Sequence, residues 1–445
     1  MTDTSGSETI SARRERIAEL ARQMPEAQLY SLSRHLDPEW MREAYRLTRK
    51  DGAVGIDGQT AEDYASDLDA RLADLLDRAK AGTYFAPPVR RVWIPKGDGR
   101  ERPIGIPTFE DKVLQRAVAM VLESVYEQDF LPVSYGFRPG RSAHEALEDL
   151  RNGIMATWGG WVLEADIQGF FDHLDHHVLM DIVRQRVTDG VIVRLISKWL
   201  HAGVMEDGTL RRPEAGTPQG GVISPILANI YLHEVLDKWF VGEVLPRLQG
   251  QARLVRYADD FVVVFEVEQD ARRVMEVLPK RMARYGLTLH PDKTRLVPFR
   301  QPPRKGDRDD GPRPGTFDFL GFTHYWGESR NGKWVVKQKT ARKRFQRAVK
   351  RVSDWLRTVR HEPVDRQAAG LKTRLVGHFN YYGITGNGRA LSRFRTVVVT
   401  LWHKWLNRRS QRRRLNWDRM NELLRRFRVP QPFVPHSIYR VSANL

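Results

Sequence analysis

Cysteine is absent from all 445 residues of this chain. Disulfides, thiolate metal sites and a cysteine nucleophile are thereby excluded, and the composition suits a reducing bacterial cytoplasm. Long apolar runs are lacking too. None approaches the ~18 residues that cross a bilayer, and the polar, mixed-charge stretch 1–22 has no apolar core of a secretory signal. No membrane association is expected. With no thiolates and no His/Cys cluster, a metal would be held by hard carboxylate oxygens. Acidic residues are scarce in one place: residues 341–430 carry 24 Lys and Arg against 5 Asp and Glu. The net charge of +18 lies in that stretch, and the remainder of the chain is close to neutral. A concentrated basic surface with interleaved aromatics is the footprint of a protein that grips a phosphate backbone.

Core material is plentiful, with 41% hydrophobic residues and 12 Trp, which excludes a disordered chain. The length exceeds the ~250–300 residues at which a single core stops growing, so two or three domains are expected. Residues 1–35 read as a polar lead-in with helix potential. Apolar spacing predicts helices over 41–49, 60–79, 112–127 and 269–285, with Thr60 as a capping hydroxyl. Strands are predicted at 89–94 and 161–167, and a hairpin pairs 252–257 with 261–265 through 258–260. The Pro-, Gly- and charge-rich stretch 302–314 reads as a loop. Near 335–340 the texture turns to long basic helical patterns. The expected division is therefore 1–35, 36–335 and 336–445.

Chemistry is suggested by Tyr257-Ala258-Asp259-Asp260. Two adjacent carboxylates in a tight connection between apolar strands repel each other unless a cation shares the site. Asp166 also ends an apolar strand. Asp166, Asp259 and Asp260 together would hold two Mg²⁺, with Mn²⁺ as a substitute, about 3.5–4 Å apart. Such a pair would activate a primer 3′-hydroxyl and stabilise a leaving pyrophosphate.

The tetrapeptide 257–260 resembles the signature of reverse transcriptases, in the form found in group II intron-encoded enzymes. Other segments are similar to blocks of that family in the same order. They are Arg91-Val92-Trp93-Ile94-Pro95-Lys96 with Arg102-Pro103-Ile104-Gly105-Ile106-Pro107, then Asp111-Lys112-Val113-Leu114-Gln115-Arg116-Ala117. Next come Ser134-Tyr135-Gly136-Phe137-Arg138-Pro139-Gly140-Arg141-Ser142 and Gly216-Thr217-Pro218-Gln219-Gly220-Gly221 with Asn229. Gly286-Leu287 with His290 and Lys293-Thr294, and Phe319-Leu320-Gly321-Phe322, complete the set.

The resemblance implies an α+β right-hand polymerase, with an antiparallel palm sheet followed by a helical thumb and a basic maturase domain. It implies that Asp166, Asp259 and Asp260 are catalytic metal ligands. Lys96 and Arg102 would contact the triphosphate, Arg by a bidentate fork. Phe171 would lie under the deoxyribose and exclude a 2′-hydroxyl. Gln219 sits in a glycine-rich turn that lets a nucleotide approach closely, and Lys293 would face the phosphates. Tyr257 would pack near the primer end rather than react.

Beyond residue 340 the chain resembles a thumb and maturase region, centred on Leu375-Val376-Gly377-His378-Phe379-Asn380-Tyr381-Tyr382-Gly383. Tyr381, Tyr382, Arg412, Arg413 and Arg414 are the candidate RNA contacts. Expected partners are an RNA template such as a group II intron RNA, a DNA primer or target, and dNTPs. The chain ends soon after Pro430-Gln431-Pro432-Phe433 and has no Cys, so no HNH-type endonuclease is expected. The expected activity is Mg²⁺-dependent cDNA synthesis on RNA, with intron binding that assists splicing and mobility. The alternatives are a splicing cofactor without polymerisation, or a domesticated enzyme of defence or repair.

Overall fold

A run that is apolar at every position must be covered on both faces if it forms a strand, and Phe261-Val262-Val263-Val264-Phe265 is such a run. The computed structural model of the chain describes residues 9–95, 101–206, 209–211, 220–303, 314–329, 331–409 and 415–437. These divide into two units, Met1–Gly153 with Trp161–Leu296, and Ile154–Gly160 with Val297–Leu445. Eleven strands are described: β1 (Val89–Pro95), β2 (Glu101–Ile106), β3 (Trp161–Asp166), β4 (Val204–Glu206), β5 (Thr209–Arg211), β6 (Ala252–Tyr257), β7 (Asp260–Phe265), β8 (Arg295–Pro298), β9 (Phe317–Phe319), β10 (Phe322–Glu328) and β11 (Trp334–Thr340).

The apolar run is β7, an inner strand of a sheet ordered β6-β7-β3-β8, and it is antiparallel to both β6 and β3. Val262, Val263, Val264 and Phe265 are all buried, as are Val162 and Leu163 opposite them. A second sheet of the same unit has the order β2-β1-β4-β5, with β1 and β4 parallel. The helix Phe109–Asp129 is buried along most of its length. The helices Ile10–Gln23 and Pro38–Leu47 pack on it. The N-terminal stretch, polar on average, thus contributes Ile17 and Ala21 to the core. Trp40 is fully buried, and its indole Nε1 donates to Ala117 O at 2.9 Å.

The predicted helix over 60–79 is two helices, Ala61–Ala65 and Leu68–Ala81. Thr60 Oγ1 accepts from Asp63 N while the Asp63 carboxylate accepts from Thr60 N, a reciprocal cap. The Ser66 hydroxyl then donates back to Asp63 O, and Asp67 leaves helical geometry at φ −145°. Local side-chain hydrogen bonds here compete with helix continuation.

The second unit holds the antiparallel sheet β11-β10-β9 and the helices Arg342–Thr358, Val364–Tyr382, Gly388–Asn407 and Trp417–Arg426. Its core gathers Leu371, Leu375, Phe379, Leu391, Val398 and Trp402. The helix Arg342–Thr358 exposes Arg342, Lys343, Arg344, Lys350 and Arg351. Among the described residues no helix is long and apolar enough to cross a membrane. Trp402 is fully buried, and its Nε1 donates to Gln367 Oε1 at 3.1 Å. Replacing Trp402 by Ala removes a large buried ring and strands that acceptor. The second unit should lose about 3–5 kcal/mol in urea denaturation; an unshifted curve would contradict this packing.

Candidate active site

Tyr257 and Asp260 face each other across the β6–β7 ladder, so Ala258 and Asp259 alone make the connection. Two-residue hairpin loops usually need positive φ, and glycine, at their first position. Here Ala258 has φ +57° and is buried. What holds it is Arg256, two residues earlier, which lies fully buried after the apolar pair Leu254-Val255. Its Nε and Nη2 donate to the two Asp237 carboxylate oxygens at 2.8 and 2.5 Å. Its Nη1 donates to Ala258 O at 3.1 Å and to Asn229 Oδ1 at 3.0 Å. Asp237 comes from a stretch of wider π-helical turns at His233–Lys238, a distortion that often marks functional regions. Burial alone would raise the Asp237 carboxyl, but the charge and hydrogen bonds of Arg256 outweigh it and hold the group below its usual range.

Asn229 extends this knot, its Nδ2 donating to Gly136 O at 2.8 Å. The segment before Gly136 runs beside β6: Tyr135 N donates to Arg256 O at 2.9 Å, and Arg256 N donates to Val133 O at 2.8 Å. Gly136 lies against the turn so closely that a Cβ there would stand 2.4 Å from Ala258 N. Only glycine fits such an approach.

The turn delivers its carboxylates to β3. Asp166 is the direct cross-strand partner of Asp260. Beyond β3, Gln168 N donates to Thr288 O at 2.8 Å and His290 N to Asp166 O at 2.7 Å. This pairing brings Lys293 Nζ within 2.6 Å of Asp166 Oδ2. Loss of surrounding water, together with the charges of Asp259 and Asp166, pushes the Asp260 carboxyl up to about 7. Asp260 itself is exposed to solvent. Asp259 is also raised, by burial first and then by Asp166, against the opposing pull of Arg102 and Lys293. Asp166, Asp259, Asp260, Lys293 and Arg102 are therefore in electrostatic contact.

Clustered hard oxygen donors that repel one another suit a divalent cation in chemical type. Among the described residues, however, no three acidic, Cys or His side chains already stand in ligating geometry. The carboxylates converge without forming a closed cage.

Phe171 is half-buried, its ring edge-on to Phe170 at 5.2 Å. Gly220, with φ +119°, sits on β2, where a Cβ would meet Gly105 O at 2.6 Å. The glycine-rich block therefore approaches the strand that carries Arg102. Lys96, Gln219, Arg412, Arg413 and Arg414 lie outside the described residues. Tyr381 and Tyr382 belong to the second unit and are occupied by packing. Tyr381 Oη donates to Leu320 O at 2.8 Å, and both rings lie against Phe322 at 5.9 and 5.2 Å.

Sequence reading missed Arg256 and Asp237. The signal was available: each is a charge in an apolar context, Leu254-Val255-Arg256 and Val235-Leu236-Asp237, and buried charges are retained when paired.

A family model described as reverse transcriptase (RNA-dependent DNA polymerase) matches residues 94–324, just over half of the chain. Protein YkfC of Escherichia coli K12 is 34% identical over 327 residues, covering 64% of this chain and 84% of that protein. The group II intron-encoded protein LtrA of Lactococcus lactis subsp. cremoris is 44% identical over 188 residues, 42% of this chain and 30% of LtrA. The mitochondrial nuclear intron maturase 1 of Arabidopsis thaliana is 32% identical over 94 residues, 21% of this chain and 13% of that protein. The matches to these two intron proteins thus span less than a third of their length. Reverse transcriptases as a class use divalent metal ions.

Two outcomes follow from the site geometry. Asp237→Ala leaves the Arg256 guanidinium buried without its partner and should cost about 3–5 kcal/mol in chemical denaturation. Asp260 supplies the pH dependence. Its carboxyl is raised in the folded state, so its contribution to stability is greatest below the ordinary carboxylate range and is lost as pH rises through about 7. In chelator-treated protein, Asp260→Asn should raise the melting temperature at pH 8, with the gap to the parent narrowing toward pH 5. A constant gap across that range would refute the like-charge account.

Proposed function

Because this chain belongs to the group II intron-encoded reverse transcriptase and maturase family, we propose that it is an RNA-directed DNA polymerase that copies RNA with Mg²⁺. The carrying observation is the pairing of Asp166 with Asp260 across β3 and β7, with Asp259 beside them at the turn. These three carboxylates would hold the divalent ions. When bound, two such ions lower the pKa of an attacking hydroxyl and offset charge on a leaving pyrophosphate.

The protein's own contribution is positioning and electrostatics. Arg102 stands close enough to the turn to act on Asp259 and would grip triphosphate oxygens, with Lys96 and Gln219 completing the nucleotide contacts. Lys293, paired with Asp166, would balance the carboxylate cluster and face the phosphates of an incoming dNTP. Phe171, edge-on to Phe170, would place its ring where a 2′-hydroxyl would clash. The fingers and palm would be residues 36–335, and the thumb and maturase region 336–445.

A second role is favoured by a separate observation, the basic excess in 341–430. Exposed cations on the helix Arg342–Thr358, with Arg412, Arg413 and Arg414, would bind intron RNA and assist splicing. Affinity for such RNA should fall steeply with salt through counterion release.

The polymerase reading is tested by primer extension on an RNA template with Mg²⁺. Replacing Asp259 and Asp260 together by Asn should abolish extension while leaving RNA affinity within about twofold, since these residues face the ions rather than the backbone. Extension at the parental rate would overturn the assignment.

A further inference from the structure

Phe137 holds a backbone conformation that its own burial does not explain. It has φ +59°, a region that bulky L-residues avoid because the Cβ crowds the backbone. Burial does not compensate, since the residue is 56% exposed. Strain at an exposed position persists only when the surroundings enforce it, and here both neighbours are fixed. Gly136 is wedged under the Ala258 turn and tied to Asn229. Arg138 is buried, its guanidinium donating to both Glu127 carboxylate oxygens, to Leu131 O at 2.9 Å and to Ser134 O at 2.8 Å. Between these anchors the Phe137 ring is held out toward solvent, with its centroid 6.5 Å from that of Tyr257.

An exposed aromatic, held rigidly beside a carboxylate cluster, is preorganised to take a flat or sugar-shaped surface without further ordering cost. We infer that Phe137 is a binding residue for the 3′-terminal nucleotide of the primer, presenting its ring to that nucleotide beside Tyr257. The inference rests on the polymerase reading for the choice of ligand. The strand whose 3′-oxygen must reach Asp259 and Asp260 ends next to the turn, and the Phe137 ring borders that turn on its Tyr257 side. Phe171 follows Asp166 on a different segment, which leaves the incoming nucleotide to that residue and the primer end to Phe137.

The strain supplies an unusual test. Gly and Asn tolerate positive φ, so Phe137→Gly and Phe137→Asn relieve the backbone while removing the ring. Binding is measured with a DNA primer recessed on an RNA template, carrying 2-aminopurine at the primer 3′ terminus, without dNTPs. Both variants should melt no lower than the parent. They should bind the duplex about tenfold more weakly, the scale of one base–aromatic contact, and lose the terminal fluorescence change. Phe137→Trp should restore both.

Parental affinity and signal in the Gly and Asn variants would overturn the inference, as would a clear fall in their melting temperatures, which would make the ring a packing element. The two readings fail separately. Wild-type protein that gives the terminal signal but never extends the primer defeats the polymerase reading alone. Extension by wild-type protein, matched in affinity and signal by the Gly variant, defeats the Phe137 inference alone.

Discussion

The Arg256–Asp237 pair is the constraint on which the candidate site depends. Both partners are inaccessible to solvent, and burying two charges costs several kcal/mol per ion before any attraction is counted. An apolar pair of similar volume would stabilise the fold at least as well. What it would not supply is direction. The guanidinium has donors left after its bidentate contact with Asp237, and it aims one at Ala258 O and shares that nitrogen with Asn229. Those bonds hold an alanine in the left-handed geometry that a glycine would adopt freely, and freely in other ways too. The ion pair is therefore better understood as a positioning device for the 257–260 turn than as a source of net stability.

That rigidity matters because the turn concentrates charge. Asp259 and Asp260 are adjacent, and Asp260 faces Asp166 across the sheet. Without a cation the cluster works against the fold: burial first, and then the neighbouring carboxylates, displace both turn carboxyls upward. Lys293 and Arg102 offset part of the repulsion from separate segments. A floppy connection would relieve the remainder by letting the side chains swing apart. The Arg256 knot and the wedge of Gly136 prevent that at the backbone, so the repulsion stays available to favour a divalent ion.

Much of the first unit was legible because its signals are local. Period-two and all-apolar runs marked β3, β6 and β7, and the turn carboxylates declared themselves between them. The long helix Phe109–Asp129 followed from its apolar density. What escaped depended on contacts between residues far apart in sequence. Arg256 and Asp237 looked like two isolated charges, because nothing local pairs a strand residue with a helix turn nineteen positions earlier. The break at Ser66-Asp67 turned on a hydroxyl competing for a carbonyl, which spacing arguments ignore. Nor could spacing place Tyr381 and Tyr382, candidate RNA contacts, against Phe322 and each other.

The backbone around the turn shows a consistent division of labour. Ala258 and Phe137 both adopt left-handed geometry at non-glycine residues, and Gly136 between their segments is a forced close approach. Strain of this kind needs a rigid frame on each side. One side is the β6–β7 ladder with Arg256 at its end. The other is the end of the helix Phe109–Asp129, where Glu127 clamps Arg138. Both frames are built from charged pairs, one fully and one partly buried, rather than from apolar packing alone. Apolar contacts fill volume but tolerate small sliding, whereas a bidentate guanidinium–carboxylate pair fixes angle as well as distance. The fold uses apolar packing where volume must be filled, in the strands and the central helix. It places directional ion pairs where a backbone must be held in a geometry it would otherwise leave.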